Sequence, residues 1–523
     1  AATRVDEDGL VNYAEILGSE LITNGDFSTS GTPTDTSYTL GWRCPYDSVD
    51  NVTIDNGVAT ILNPIGSGGK FFATNGVDSS NVVESGKLYK LTYEVVENIG
   101  NTTFRYHTGS AYVTGNNTVG SHTIYYQANG TIFLFRNLTT GSTIKLGNVS
   151  IKEVTRDNVP RIDYTGGGCP HILAEPQRTN LLRYSEDFSE WNINGTSAVD
   201  GGVSSIGLNY YTITNTGGGF LGVYYASASF SHGDTITASV YVKKGTSDDF
   251  RLRYGASINQ DVDFNLDDGT IVSEGTNVVG TIQSMSDGWY RVTSTWTDAT
   301  HTKSVADVAI YVQSGNVEIS GAQLEVGSYA TSYIPNFGTA AGVTRNQDIF
   351  TRDGIGSLIN DSEGTLYFEG SALENGSSSH RIISLSDGTS NNLIFIRVDS
   401  TASRFRGFAR GGGGTYTVIT VNSIPQTDNN KIALVWDATN FRIWINGSEG
   451  ATATINDLPV GMNALNLTDP TGTADPFFGK VKQLQVYNTA LTDEQLLQLT
   501  GESGTDFYES YAEMAAALTY TIQ

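Results

Sequence analysis

The sequence predicts an all-β protein: a string of antiparallel β-sandwich domains with a short helical segment near the C-terminal end. Three observations predict it. Glycine and strand-forming residues dominate, with 59 glycines and 27 tyrosines among 523 residues, a usage that favours short strands joined by many turns. Apolar residues recur at every second position in stretch after stretch, the period of a half-buried strand. Two long blocks also open and close alike, which marks one kind of domain used twice. A chain of this length is too long for one core and divides into about three domains.

Residues 1–19 read as an N-terminal connector, with Asp8-Gly9 a turn between two short extended pieces. Residues 20–154 form the first sandwich. It opens ELITNGDFS from Glu20 and closes KLGNVSIKEV from Lys145, where Ile144, Leu146, Val149 and Ile151 keep a period of two that breaks at Gly147-Asn148. The break predicts a bulge. Residues 155–181 are a collar holding Pro160, Pro170 and Pro176, three of the chain's eleven prolines, with Gly166, Gly167 and Gly168. Proline removes ladder donors, so the collar is expected to run extended over a surface without strands or a core of its own.

Residues 182–335 repeat the grammar of the first block, from NLLRYSEDFS at Asn180 to EISGAQLEVG at Glu318. Ile236, Ala238, Val240 and Val242 share one face of a strand, and Tyr290, Val292 and Trp296 share another. Residues 336–362 are a second connector rich in Gly and Asn. Residues 363–500 carry further hairpins, with Asn446-Gly447 a strong tight-turn signal. A single short helix follows, capped by Thr492 with Gln495 three residues on. In residues 501–523, Phe507, Tyr511, Met514 and Leu518 make an amphipathic stripe at helical spacing.

Charge narrows the partners. Thirty basic residues against 55 acidic ones give a net charge of −25, which repels a phosphate backbone, so no nucleic acid is expected. No apolar run approaches the roughly 20 residues of a membrane span, so no membrane insertion is expected. The opening AATRVDEDG lacks the charged-then-apolar layout of a signal segment. Cys44 and Cys169 lie far apart with no CxxC or Cys/His setting, and two free thiols are the expectation.

Catalytic motifs are missing. The six histidines are scattered without HExxH or triad spacing, and GxSxG does not occur. Two carboxylates about 5 to 9 Å apart could cleave a glycan, and Glu175 or Asp267-Asp268 are examples of what so acidic a chain offers. Nothing singles one pair out. His171 reads as a hydrogen-bonded structural residue, and the chain as a non-enzyme.

Residues Pro160–Trp191, PRIDYTGGGCPHILAEPQRTNLLRYSEDFSEW, with GAQLEVGSYATSYIP at Gly321–Pro335, resemble a module of bacteriophage tail fibre and other virion surface proteins. ITNGDFS and NVSIKEV in the first block resemble jelly-roll carbohydrate-binding modules. NFRIWING and GKVKQLQVYNTALTDEQL resemble concanavalin A-like, laminin-G-like lectin domains. The resemblance implies a receptor-binding fibre at the virion surface, assembled as a homo-oligomer, often a trimer, with other virion proteins and a host cell-surface glycan as partners. It also implies a structural calcium, for which Asp26 and Glu153 are the candidates in the first block, with Glu186, Asp187 and Glu325 as partial counterparts; Gly147 stands where such modules frequently carry Asp.

Sugar rings stack their C–H faces on aromatic rings while their hydroxyls need polar partners. Adjacent aromatics on a strand matter because one of each pair must point outward. Tyr224 and Tyr225, then Tyr125 and Tyr126, then Trp289 beside Tyr290, are the candidate carbohydrate-binding residues. Trp436 and Trp444 are assigned to the core.

Overall fold

The computed structural model describes residues 3–44, 51–63, 69–77, 80–109, 111–156, 159–165, 169–255, 258 and 260–501. All its sheets are antiparallel, and its described α-helix is the short segment Asp493–Thr500. Strand contacts gather into two compact units. One is Glu15–Val159; the other takes in Ala1–Ala14 and the described chain from Pro160 onward.

The smaller unit is a two-sheet sandwich. One sheet orders Tyr112–Thr114, Phe104–His107, Leu134–Asn137, Gly69–Ala73 and Trp42–Arg43; the other centres on Leu88–Ile99 and Ser142–Thr155. Period-two patterning sends Tyr89, Leu91, Tyr93 and Val95 inward. There Trp42 stacks on Phe71 at 4.2 Å between ring centroids. The long closing strand shifts register between Gly147 and Ser150, with Asn148 at φ 47°, so the bulge falls where the apolar period breaks. Ile16–Glu20 pairs with that same strand, which brings the sandwich's start a few residues into the expected connector.

The rest of the connector belongs to the larger unit. Thr3–Val5 and Val11–Tyr13 form a hairpin about the Asp8-Gly9 turn, and Val5 is tied to Tyr164 and Asp163 by backbone and side-chain hydrogen bonds. The second sandwich packs two six-stranded sheets around Phe188, Trp191, Val240, Phe250, Ile310 and Leu324. The third packs a seven-stranded sheet on a six-stranded one around Leu366, Phe405, Leu434, Trp436 and Phe441. Trp444 is also buried, beneath the helix beside Leu496.

The collar departs from expectation, because it does contain strands. Ile162–Asp163 and His171–Ala174 extend the seven-stranded sheet of the third sandwich, and Arg178–Asn180 pairs with Val343–Arg345 of the second connector. Pro160, Pro170 and Pro176 sit just outside these short strands, where a missing N–H costs no ladder bond. Buried ion pairs lock the arrangement. Arg161 reaches both Glu175 and Asp348, Arg345 Nη1 lies 2.6 Å from Glu175, and the Ser332 amide donates to Glu175 at 2.8 Å. Cys44 is buried and Cys169 exposed, both as free thiols, and burial pushes the Cys44 thiol up to about 12. The stripe from Phe507 to Leu518 lies outside the described residues.

Candidate functional site

The outward face of one sheet of the second sandwich carries an open groove of about 560 Å3. Its geometry follows from strand alternation. In Leu221–Ser229, Val305–Val312 and Asp249–Tyr254, the buried residues Val223, Ile310, Phe250 and Leu252 point into the core. Their neighbours therefore face out. Two adjacent cross-strand rows result: Asn192, Tyr224, Ala309, Arg253 and Asp261 in one, and Asn194, Gly222, Tyr311, Arg251 and Asp263 in the other.

The rows make a checkerboard. Tyr224 stands beside Ala309 and Tyr311 beside Gly222, so each ring borders a gap left by a small residue. A Cβ at Gly222 would lie 1.9 Å from the Ile310 carbonyl oxygen, so the position admits only glycine. Phe220 closes one end, with the Arg251 guanidinium 3.8 Å over its ring. Arg251 in turn holds Asp263 through two hydrogen bonds of 2.6 and 2.9 Å. Asn194, Arg253 and Asp307 supply polar groups along the lining. Half-buried rings over a narrow floor, edged by amide, guanidinium and carboxylate, can take a sugar ring's apolar face and its hydroxyls together.

Of the five aromatic candidates, only Tyr224 reaches this groove. Tyr225 points the other way and packs against the core, with Trp191 at 5.8 Å between ring centroids. Tyr125 does face outward, but Arg156 and Lys90 lie over its ring at 4.6 and 5.6 Å and its hydroxyl donates to Glu15, so its faces are already engaged. Tyr126 is a core residue beside Tyr89 and Tyr106, not a platform. Trp289 is likewise only 1% exposed. It lies in a small secondary core with Val11, Tyr241 and Tyr333, where a residue of the N-terminal hairpin helps to cover it. Phe220, Tyr311 and Arg253 also line the groove, and none of them belongs to an adjacent aromatic pair. The alternation of VADVAIYV could have found Tyr311.

The proposed calcium ligands do not form an oxygen cage, which needs 6 to 8 ligands. Asp26 accepts from the amide and hydroxyl of Ser28, and these hydrogen bonds hold its carboxyl below the usual range. Glu153 has the Lys87 ammonium 3.0 Å away. In the second sandwich, Glu186 accepts from Asn209 and Tyr333, Asp187 from Ser189 and Tyr211, and Glu325 from Thr331 and Gln323. Among the described residues no three His, Cys, Asp or Glu side chains converge as a metal site.

The carboxylates weighed for catalysis are also engaged. Glu175 is buried, but Arg345 and Arg161 overcome the cost of burial and hold it down at about 2. Asp267 pairs with Lys244 at 2.6 Å. His171 is buried, with its imidazole pushed down to about 4; its Nε2 lies 3.5 Å from Asp163 and makes no hydrogen bond among the described residues.

Among solved structures, similarity is found to the CBM40 module of the Ruminococcus gnavus IT-sialidase, at 18% identity over 29% of this chain and 98% of that one, with a TM-score of 0.25. The same module bound to α2,3-sialyllactose matches at 20% identity over 27% of this chain and 84% of that one, with a TM-score of 0.24. A native heptameric SAP-like pentraxin from Limulus polyphemus matches at 15% identity over 29% and 80%, with a TM-score of 0.22. No curated protein sequence matches the chain. Residues 345–497, which hold most of the C-terminal sandwich, match the family model of the concanavalin A-like lectin/glucanases superfamily.

Proposed function

We propose that the chain is a non-enzymatic virion fibre or appendage protein that binds host-surface glycans, with the Tyr224–Tyr311 groove as a principal binding face. The groove carries the reading. A decoration protein that only bridges the particle has no use for two half-buried tyrosines spaced by Gly222 and Ala309 over a polar rim. The lectin-type match of residues 345–497 supports glycan binding as the general class. The virion setting and the homo-oligomeric, trimeric assembly rest on the likeness of Pro160–Trp191 and Gly321–Pro335 to tail-fibre modules.

A glycan array on the purified full chain, with a reducing-end assay run on every ligand found, tests it. Saturable binding without new reducing ends is expected. Tyr224→Ala and Tyr311→Ala should each weaken binding about five- to thirtyfold, the loss of about 1–2 kcal/mol of ring contact. Binding that survives both substitutions would remove the groove from the proposal, and released product would overturn its non-enzymatic part.

A further inference from the structure

A second cluster lies on the third sandwich, on the outward face of the sheet containing Leu393–Val398 and Arg404–Arg410. Ile394, Ile396, Val398, Phe405 and Ala409 are buried in the core. Alternation therefore turns Arg397, Arg404 and Arg406 outward, with Arg397 directly opposite Arg406 in the register. Asp399 pairs with all three: Arg397 Nη2 lies at 3.0 Å, Arg404 Nη2 at 2.6 Å and Arg406 Nε at 3.3 Å. Three guanidiniums share one carboxylate, and like charges held opposite one another on a sheet are unfavourable unless an anion lies between them.

Asp399 does not complete the set. Its side chain is 0% exposed, while those of Arg397, Arg404 and Arg406 are 17%, 25% and 26% exposed, so whatever approaches this face meets the arginines and not the aspartate. Among the described residues the Nε atoms of Arg397 and Arg404 are buried without a hydrogen-bond partner, and Arg406 Nε has only its ion pair with Asp399. Burial, with the charges of Arg404 and Arg397, pushes the Arg406 guanidinium below its ordinary value even beside Asp399. His380 Nδ1 accepts the Ser400 amide, which places any proton of the neutral ring on Nε2. The Arg397 guanidinium lies 4.5 Å over Phe408, itself stacked on Phe395, so aromatic packing fixes one arm of the cluster. In a chain of net charge −25, a local surplus of positive charge with unused donors needs a ligand to explain it.

We propose that this face binds an oxyanion carried on a saccharide, a carboxylate or a sulfate, with Arg404 and Arg406 supplying the fork and Arg397 the third contact. Planar guanidiniums match two-oxygen anions and give the stronger, charge-assisted hydrogen bonds. The saccharide carrier rests on the glycan-binding reading above; the oxyanion rests on the cluster alone.

Calorimetric titration of the full chain at low salt tests it with a heparin-derived hexasaccharide, trigalacturonic acid, neutral maltohexaose, sodium sulfate and sodium acetate. At least one acidic saccharide should bind saturably and lose affinity with added salt, while maltohexaose leaves this site untouched. Arg406→Gln should weaken that binding about tenfold or more, the worth of one hydrogen bond to a charged group. Tyr224→Ala should leave it unchanged, which separates this site from the groove. Thermal unfolding checks that Arg406→Gln is folded; should it not be, Arg406→Lys keeps the charge but loses the fork, and should still weaken binding. The proposal is overturned if neither acidic saccharide binds, if only free sulfate or free acetate binds, or if the folded variant binds as tightly as the parent chain.

Discussion

Arg161 is wholly buried and touches two carboxylates, Glu175 and Asp348, so its charge is indispensable to both. Arg161→Met should cost the larger unit about 3–5 kcal/mol, the loss seen when a buried pair is broken from one side; denaturant unfolding of the purified variant measures it. The two carboxylates respond oppositely to acid. Arg345 and Arg161 hold Glu175 at about 2 despite its burial, below its ordinary 4.5. That contribution is complete above about pH 4.5 and is lost as pH falls towards 2. Burial instead raises Asp348 above its ordinary value, so Asp348 contributes more as pH falls. Unfolding of the parent chain and of Glu175→Gln between pH 6 and pH 2 separates them: the variant should lack the part of the acid loss that Glu175 supplies, and an identical pH profile would refute that assignment. None of this was legible in the sequence. Arg161, Glu175, Ser332, Arg345 and Asp348 are spread over nearly 190 positions, and only the folded path of the collar brings them together.

At the scale of elements, the sequence was most informative where local chemistry decides the structure. Thr492 accepts from the Gln495 amide and the Gln495 side chain caps back, as the spacing T-D-E-Q predicts. Thr492→Ala should cost about 1 kcal/mol, read as a lower melting temperature for the third sandwich, whose Leu496 fills the pocket beside Trp444. The Asn446-Gly447 turn takes φ 47° and 81°, and the Gly147-Asn148 bulge sits where expected. The collar differs from its composition because its short strands, Ile162–Asp163, His171–Ala174 and Arg178–Asn180, fit between and after the prolines. The candidate site was half legible. Tyr224 follows from adjacency and alternation, but choosing Tyr225, Tyr126 and Trp289 required knowing which face is covered. For Trp289 the cover includes Val11, nearly 280 residues away.

At the scale of the molecule, the three sandwiches keep separate principal cores, and the smaller unit interrupts the larger one in sequence. Glu15–Val159 should therefore fold when expressed alone. A chain in which a short Gly-Ser linker replaces those residues should keep the stability of the remainder, because Thr3–Tyr13 makes its strand pairing and its bonds to Tyr164, Ile206 and Tyr333 within the larger unit. Two resolved calorimetric transitions in the full chain, one matching the isolated segment, would be the signature; a single merged transition together with an unfolded segment would refute it. The return of the first strands to the larger unit also has a mechanical consequence. Tension between Thr3 and the C-terminal helix passes first through the hydrogen bonds that tie the opening hairpin to Asp163, Tyr164, Ile206 and Tyr333, so the inserted sandwich is shielded from load until those bonds give way.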